Sequence, residues 1–203
     1  YDSMDLRRDW TMSAFRYDGD TATKKYDDTE SPIITRKYAA KFRREYESST
    51  SKNAAYTDIN FPILRYSDVL LMYAEAYAAQ PSCADRDLAL QCLNQVRRRG
   101  HGLDVGAKSS FDFYGNDSEM LDEIRNERAR ELAYECTRKD DLVRWGIFYE
   151  SMQMAYMYLD GNNSSYQRAA NIAYSSARPR DVMWPIPARE LSVNSLLKQN
   201  PSW

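Results

Sequence analysis

FPILRYSDVLLMYAEAYAAQ, residues 61–80, decides how the rest of the chain is read. Pro62 suits the approach to a helix, and Ser67 or Asp68 can satisfy free backbone N–H groups near its start. Tyr66, Leu70, Tyr73, Ala74 and Tyr77 then fall on one helical face, while Val69, Met72, Ala76 and Ala79 supply a second. Arg65, Asp68, Met72 and Glu75 form a narrow stripe that contains the charges. A helix apolar on most sides is expected to lie buried between neighbours. Downstream, Pro81–Ala84 reads as a turn and ADRDLALQCLNQVRRRG as the next helix, with Leu88, Ala89, Cys92, Leu93 and Val96 on one face. Arg97, Arg98 and Arg99 sit where the helix dipole favours cations, and Gly100 is the expected stop. Two helices joined by so short a turn are expected to pack antiparallel.

Asn116 and Glu119 form a capping-box-like start for a third helix, expected to run to about Cys136. Leu121, Ile124, Arg128, Leu132 and Glu135 share its core stripe, which places charge on a buried side. A fourth helix is expected from Asp140 or Asp141 through Leu142, Val143, Trp145, Phe148, Tyr149 and Met152, with Gly146 admitting a close neighbour. Residues 1–60 are turn-rich and polar, with short extended candidates such as Ile33–Thr35. Residues 160–179 read as loop, and the proline-rich tail as an extended strap with one turn around Glu190. The expected organisation is a single domain over residues 1–203: a loop-rich segment 1–60, a helical scaffold 61–155, and a loop with extended strap 156–203.

The 203 residues are enough for one domain with a real core. With 28 Lys+Arg against 30 Asp+Glu the net charge is −2, so no electrostatic case exists for nucleic acid. No run of 18 apolar residues exists to span a membrane. Cys83, Cys92 and Cys136 lack metal-ligand spacing and are read as small packed side chains. The chain starts at Tyr1 without a signal or lipidation segment, and Tyr1 reads as the start of a fragment.

Signatures of phosphate-binding loops, dinucleotide folds, serine hydrolases and zinc proteases are missing. The single His101, flanked by glycines, reads as an exposed loop histidine. Glu127, Glu131 and Glu135 recur every four residues, spaced by about 5.4 Å per turn, near the separation of about 5–5.5 Å used by retaining glycosidases. They emerge from one helix in one direction, however, and Arg125, Arg128 and Arg130 are interleaved with them. The expected role is therefore structural: Arg128 meeting Asp68 or Glu75, and Glu131 meeting Arg65 or Arg144, fixing helix register. No catalytic residue, metal site or cofactor is assigned. Tyrosines at helical spacing (Tyr66, Tyr73, Tyr77, Tyr134) are expected in the core. Loop aromatics are the better ligand platforms: Trp10, Tyr17, Phe113, Tyr114, Tyr158 and Tyr166, of which Trp10, Tyr114, Tyr158 and Tyr166 are carried forward as ligand-binding candidates.

LRYSDVLLMYAEAYAA, ALQCLNQVRRRG, IRNERARELAYECTRKDDLVRWG and WPIPARELSVNSLLKQNPSW follow one another in an order and spacing that resembles the C-terminal region of the SusD/RagB family. YDSMDLRRDWT is similar to that family's "D-P-R" segment and Arg36–Tyr38 to its "KY" strand. The resemblance implies a mainly α fold, a SusD-like α/α superhelix of tetratricopeptide-like helical hairpins with long irregular loops. It implies a surface-exposed outer-membrane lipoprotein without catalysis, capturing oligosaccharides for import through a TonB-dependent SusC-type transporter. The lipid anchor and much of the usual ligand surface are expected in an N-terminal half absent from this chain. Alternative implications are a peptide-binding member, or a helical interaction module that docks the transporter while ligand contacts lie elsewhere. Cys136 stands where the family usually has Gly or a similar residue, Asn194-Ser195 replaces Asn-Pro, and Trp203 replaces the final Tyr.

Overall fold

The computed structural model describes residues 1–26, 38–53, 55–80, 85–159 and 168–203. They divide into two compact units, Tyr1–Arg138 and Lys139–Trp203.

The first unit opens with short elements. Helix α1 (Leu6–Thr11) is capped by Asp5, whose side chain accepts from the Arg7 N–H at 3.0 Å. Strands β1 (Met12–Ser13), β2 (Phe15–Tyr17), β3 (Lys24–Tyr26) and β4 (Tyr38–Ala39) follow. β1 pairs antiparallel with β4, Met12 opposite Ala39, and β2 with β3, Phe15 opposite Tyr26. The extended candidate Ile33–Thr35 lies outside the described residues. One 3-10 turn, Arg44–Tyr46, completes the segment.

Helices α2 (Tyr66–Ala79), α3 (Arg86–Gly100) and α4 (Asp117–Glu131) carry the core. Leu71, Ala74 and Tyr77 of α2 meet Ala89, Cys92, Leu93 and Val96 of α3 and Met120 and Ile124 of α4. Asp85 caps α3 by accepting from the Asp87 and Leu88 N–H groups. Asn116 and Glu119 form both halves of a capping box on α4, as the sequence predicts.

Helix α2 buries a different face from the expected one. Ser67, Asp68, Leu71, Ala74, Glu75 and Tyr77 point inward. Tyr66 is 74% exposed, and Val69, Met72 and Tyr73 are exposed beside it. The stripe bearing Asp68 and Glu75 faces α4 because α4 brings a cation to it. Helix α4 also ends five residues early, at Glu131, and Tyr134 and Cys136 adopt left-handed backbone, φ 62° and 61°. Tyr134 and Cys136 are consequently exposed rather than packed, whereas Cys92 is buried. Cys83 lies outside the described residues.

In the second unit the expected fourth helix is two: α5 (Arg138–Arg144), whose first residue closes the first unit, and α6 (Phe148–Leu159). Gly146 between them has φ +72°, and nothing approaches its Cα within 4 Å of where a Cβ would stand. It is a left-handed break, not a site of close approach. Helix α7 (Arg168–Ser176) occupies part of the expected loop, packing on α6. After a 3-10 turn at Pro179–Val182, the expected turn around Glu190 is helix α8 (Ala188–Val193). Gln199 ties the tail back, accepting from the Ile186 N–H at 2.8 Å and donating to the Ile186 carbonyl at 3.0 Å.

Candidate functional site: a charged brace and the cavities beside it

Spacing of four residues puts Glu127 and Glu131 on one side of α4, and Glu135 follows in the turn beyond it. All three are buried, Glu127 completely. A carboxylate in that position alone would cost several kcal/mol, so its partners decide whether the fold tolerates it. Arg7 of α1 supplies one: its Nη1 donates to Glu127 Oε1 at 2.6 Å and Glu131 Oε2 at 2.9 Å. Asp5 grips the other edge of the same guanidinium, at 2.9 Å from Nε and 2.7 Å from Nη2. Arg65, just before α2, binds Glu135 through Nε and Nη2, both at 2.8 Å, and reaches Glu131 with Nη1 at 2.8 Å. Arg99 at the end of α3 also holds Glu131, and Lys41 holds Glu135 and the Glu131 carbonyl. Arg130 donates to Glu127 at 2.7 Å.

Glu131 thus faces three guanidinium groups. Burial alone would raise its pKa, but Arg99, Arg7 and Arg65 outweigh that effect and hold the carboxyl down at about 2. Burial likewise pushes the Lys41 ammonium below its ordinary value, only partly opposed by Glu135. Held below its ordinary range by these cations, the Glu131 carboxyl is ionised at neutral pH and ties Arg7, Arg65 and Arg99 to α4, so these residues form a brace.

A glycine makes room for it. A Cβ on Gly100 would stand 2.4 Å from Arg7 Cζ. Gly100 has no positive φ and does not end α3 as a left-handed stop. It admits the guanidinium instead.

A second tie joins α4 to α2. Arg128 Nη1 donates to Asp68 Oδ1 at 2.7 Å, and Arg128 Nε lies 3.8 Å from Glu75. Arg144, in the second unit, is bound to Asp141 on its own helix at 2.8 Å, with its guanidinium 4.9 Å from the Trp145 ring centre. Sequence reasoning named Arg65, Asp68, Glu75, Arg128 and Glu131 but missed Asp5, Arg7 and Lys41. Only the acidic and basic alternation of DSMDLRRDW signalled the first two.

Over the brace lies a cavity of about 400 Å³, rimmed by Trp10, Phe42 and Pro62. Trp10 is half exposed, and the Arg43 guanidinium sits 3.9 Å from its ring centre. Arg43 is fixed there by donating to the Asp9 and Trp10 carbonyls, both at 3.0 Å. A separate cavity of about 470 Å³ has Tyr114, Gln91, Asp87, Lys108, Arg98 and Asp112 among its lining residues. Arg98 binds Asp112 through two contacts, 2.7 and 2.5 Å, and holds its carboxyl down at about 2. Tyr114 is 65% exposed, and its hydroxyl donates to Asp112 at 3.2 Å.

Within the first unit, the candidates Trp10 and Tyr114 do not converge. Trp10 and Tyr114 border different cavities, Tyr158 is an exposed residue of α6 in the second unit, and Tyr166 lies outside the described residues. Tyr17 hydrogen-bonds Glu45; burial, with that carboxylate, pushes its phenol up to about 12. His101 is not an exposed loop side chain. Its ring is 5% exposed, caps α3, stacks on Phe111 at 4.1 Å, and contacts the Arg97 carbonyl at 2.9 Å. Among the described residues no group of three His, Cys, Asp or Glu is placed to hold a metal ion, and no helix is long and apolar enough to cross a membrane.

The family model described as the SusD family matches residues 9–203. SusD-like protein P25 of Formosa agariphila is 28% identical over 86% of this chain and 35% of its own length. SusD-like protein P2 of the same organism is 26% identical over 99% of this chain and 39% of its own length. The crystal structure of a SusD homolog from Bacteroides thetaiotaomicron superposes with a TM-score of 0.81 at 27% identity, covering 98% of this chain and 41% of that one. The chain therefore spans between 35% and 41% of the proteins it matches.

Proposed function

Because this chain belongs to the SusD family, we propose that the protein carrying it is a cell-surface binding protein that captures oligosaccharides for import, with no bond made or broken. Its partner is a TonB-dependent transporter of the SusC type in the outer membrane, and a lipid anchor elsewhere in the protein attaches it there. The observation that carries this reading is the family match across residues 9–203. The brace is in keeping with it, because Glu127, Glu131 and Glu135, the carboxylates at spacing near that used in hydrolysis, are each ion-paired. Affinity in such a site comes from aromatic platforms and polar side chains on a rigid frame. Calorimetric titration of the whole protein with a panel of oligosaccharides is expected to give saturable binding and no shortened products. Product release by the pure protein, or silence across the panel, overturns the reading.

The exposed row of Tyr66, Val69, Met72 and Tyr73 on α2 favours a second reading, in which this portion chiefly docks another protein surface. Retention of the transporter by a Tyr66→Asp, Met72→Asp variant at wild-type yield would count against it.

A further inference from the structure

The cavity beside Tyr114 differs in kind from the one over the brace. At the brace each charged group is taken by a neighbour, and Arg43 already covers the Trp10 ring. Beside Tyr114 the framework is tied and the wall is free. Asn94 donates to the Phe113 carbonyl at 3.1 Å and accepts from the Phe113 N–H at 2.7 Å, so the backbone that presents Tyr114 is clamped from both sides. The Tyr114 hydroxyl is anchored on Asp112, itself held by Arg98 and by the Ser109 hydroxyl at 3.1 Å. By contrast, the Gln91 amide, the Lys108 ammonium and the Asp87 carboxylate have no hydrogen-bond or ion-pair partner among the described residues.

We propose that this cavity is a subsite for a neutral sugar ring, stacked on Tyr114 and hydrogen-bonded through its hydroxyls to Gln91, Asp87 and Lys108. The assignment rests on the oligosaccharide reading above and gives it a place in the chain. An aromatic face fixed in advance lowers the ordering cost of binding. The three free groups supply donors and acceptors together, which suits a hydroxyl because it is both. Charge selects against other ligands. Asp87 and Asp112 balance Arg98 and Lys108, so the walls set up no net field to attract an anionic sugar or a charged peptide end.

The test is calorimetry on the whole protein with maltohexaose, cellohexaose, laminarihexaose, xylohexaose and mannohexaose, and with hexagalacturonate and tetraalanine as contrasts. For the neutral probe that binds, Tyr114→Ala is expected to weaken affinity about tenfold and Gln91→Ala about threefold. Tyr114→Phe, which keeps the ring but loses the hydroxyl's tie to Asp112, is expected to weaken affinity less than Tyr114→Ala, by about twofold to threefold. Gln91 is exposed on α3, so its variant remains informative if Tyr114→Ala does not fold. Wild-type affinity in folded Tyr114→Ala and Gln91→Ala proteins overturns this subsite and leaves the general reading standing. Failure of the wild-type protein to bind any saccharide overturns both. Tighter binding of hexagalacturonate or tetraalanine than of every neutral probe overturns the neutral-sugar assignment.

Discussion

Gly100 is the residue at which ordinary helix rules give the wrong sign. Ala is favoured over Gly in helical backbone by up to about 1 kcal/mol, and Gly100 is the last helical residue of α3, so Gly100→Ala is expected on propensity alone to stabilise. The new methyl would meet Arg7, whose guanidinium cannot swing aside without leaving Asp5, Glu127 and Glu131. Uncovering a buried carboxylate costs about 3–5 kcal/mol. Net destabilisation of roughly 2–4 kcal/mol is therefore expected in urea titration, and an unchanged or raised midpoint would show that Arg7 is not pinned. Cys136 works in the opposite direction. It holds a left-handed φ of 61° with its side chain in solvent, at the position where the family resemblance leads one to expect glycine or a similar residue. Cys136→Gly removes a strain of about 1 kcal/mol and uncovers no core. A rise of about 2–4 °C in melting temperature is expected; a fall would mean that the thiol makes contacts its exposure does not suggest.

At the scale of elements, α2 and α4 are joined by a cation between two acids, and the energy of that tie is measurable. Arg128→Ala removes the charge and the packed stem that serve Asp68 and Glu75, with an expected cost of about 3–5 kcal/mol. Arg128→Met keeps the volume and loses only the charge, so it is expected to cost less. Combining Arg128→Met with Asp68→Asn is then expected to recover about 1–3 kcal/mol relative to the sum of the single changes; strict additivity would deny the pair any coupling. The same helices show what sequence could reveal. The positions of α2, α3 and α4 were readable because periodicity and caps are local, and the Asn116–Glu119 box was readable for the same reason. Which face of α2 turns inward was not. Its apolar residues run all the way round, and the buried stripe is the one holding Asp68 and Glu75, which only the distant Arg128 makes tolerable. Helix α7 escaped because RAANIAYSS follows a run of Asn and Ser. The Tyr114 platform could be named, but its neighbours in the cavity wall, Gln91 and Lys108, come beside it through tertiary folding alone.

For the molecule as a whole, nearly balanced totals of 28 basic and 30 acidic side chains hide an asymmetry between surface and interior. The brace carboxylates are buried, so salt and acid should act on the protein very differently. At 1 M salt the screening length is about 3 Å in water, yet contacts such as Arg7–Glu127 at 2.6 Å and Arg65–Glu135 at 2.8 Å are shorter than that and end on buried carboxylates. Raising NaCl from about 0.1 to 1 M at pH 7 is therefore expected to move the melting temperature by no more than about 2 °C. Acid reaches the brace through protonation. Glu131 has its folded pKa lowered from the ordinary 4.5 to about 2, so its contribution is fully present above about pH 5. That contribution is lost as pH falls from 4.5 towards 2, and amounts to about 3 kcal/mol over the window. Asp112, held down by Arg98, adds to the same acid limb. Glu131→Gln is expected to be less stable at pH 7, with Arg7, Arg65 and Arg99 robbed of a shared anion, and flatter between pH 5 and 2. Thermal melts across pH and salt for both proteins check this. A salt response as steep as the acid response, or an acid limb unaltered by Glu131→Gln, would place the brace in solvent and remove the rigid frame on which both cavities depend.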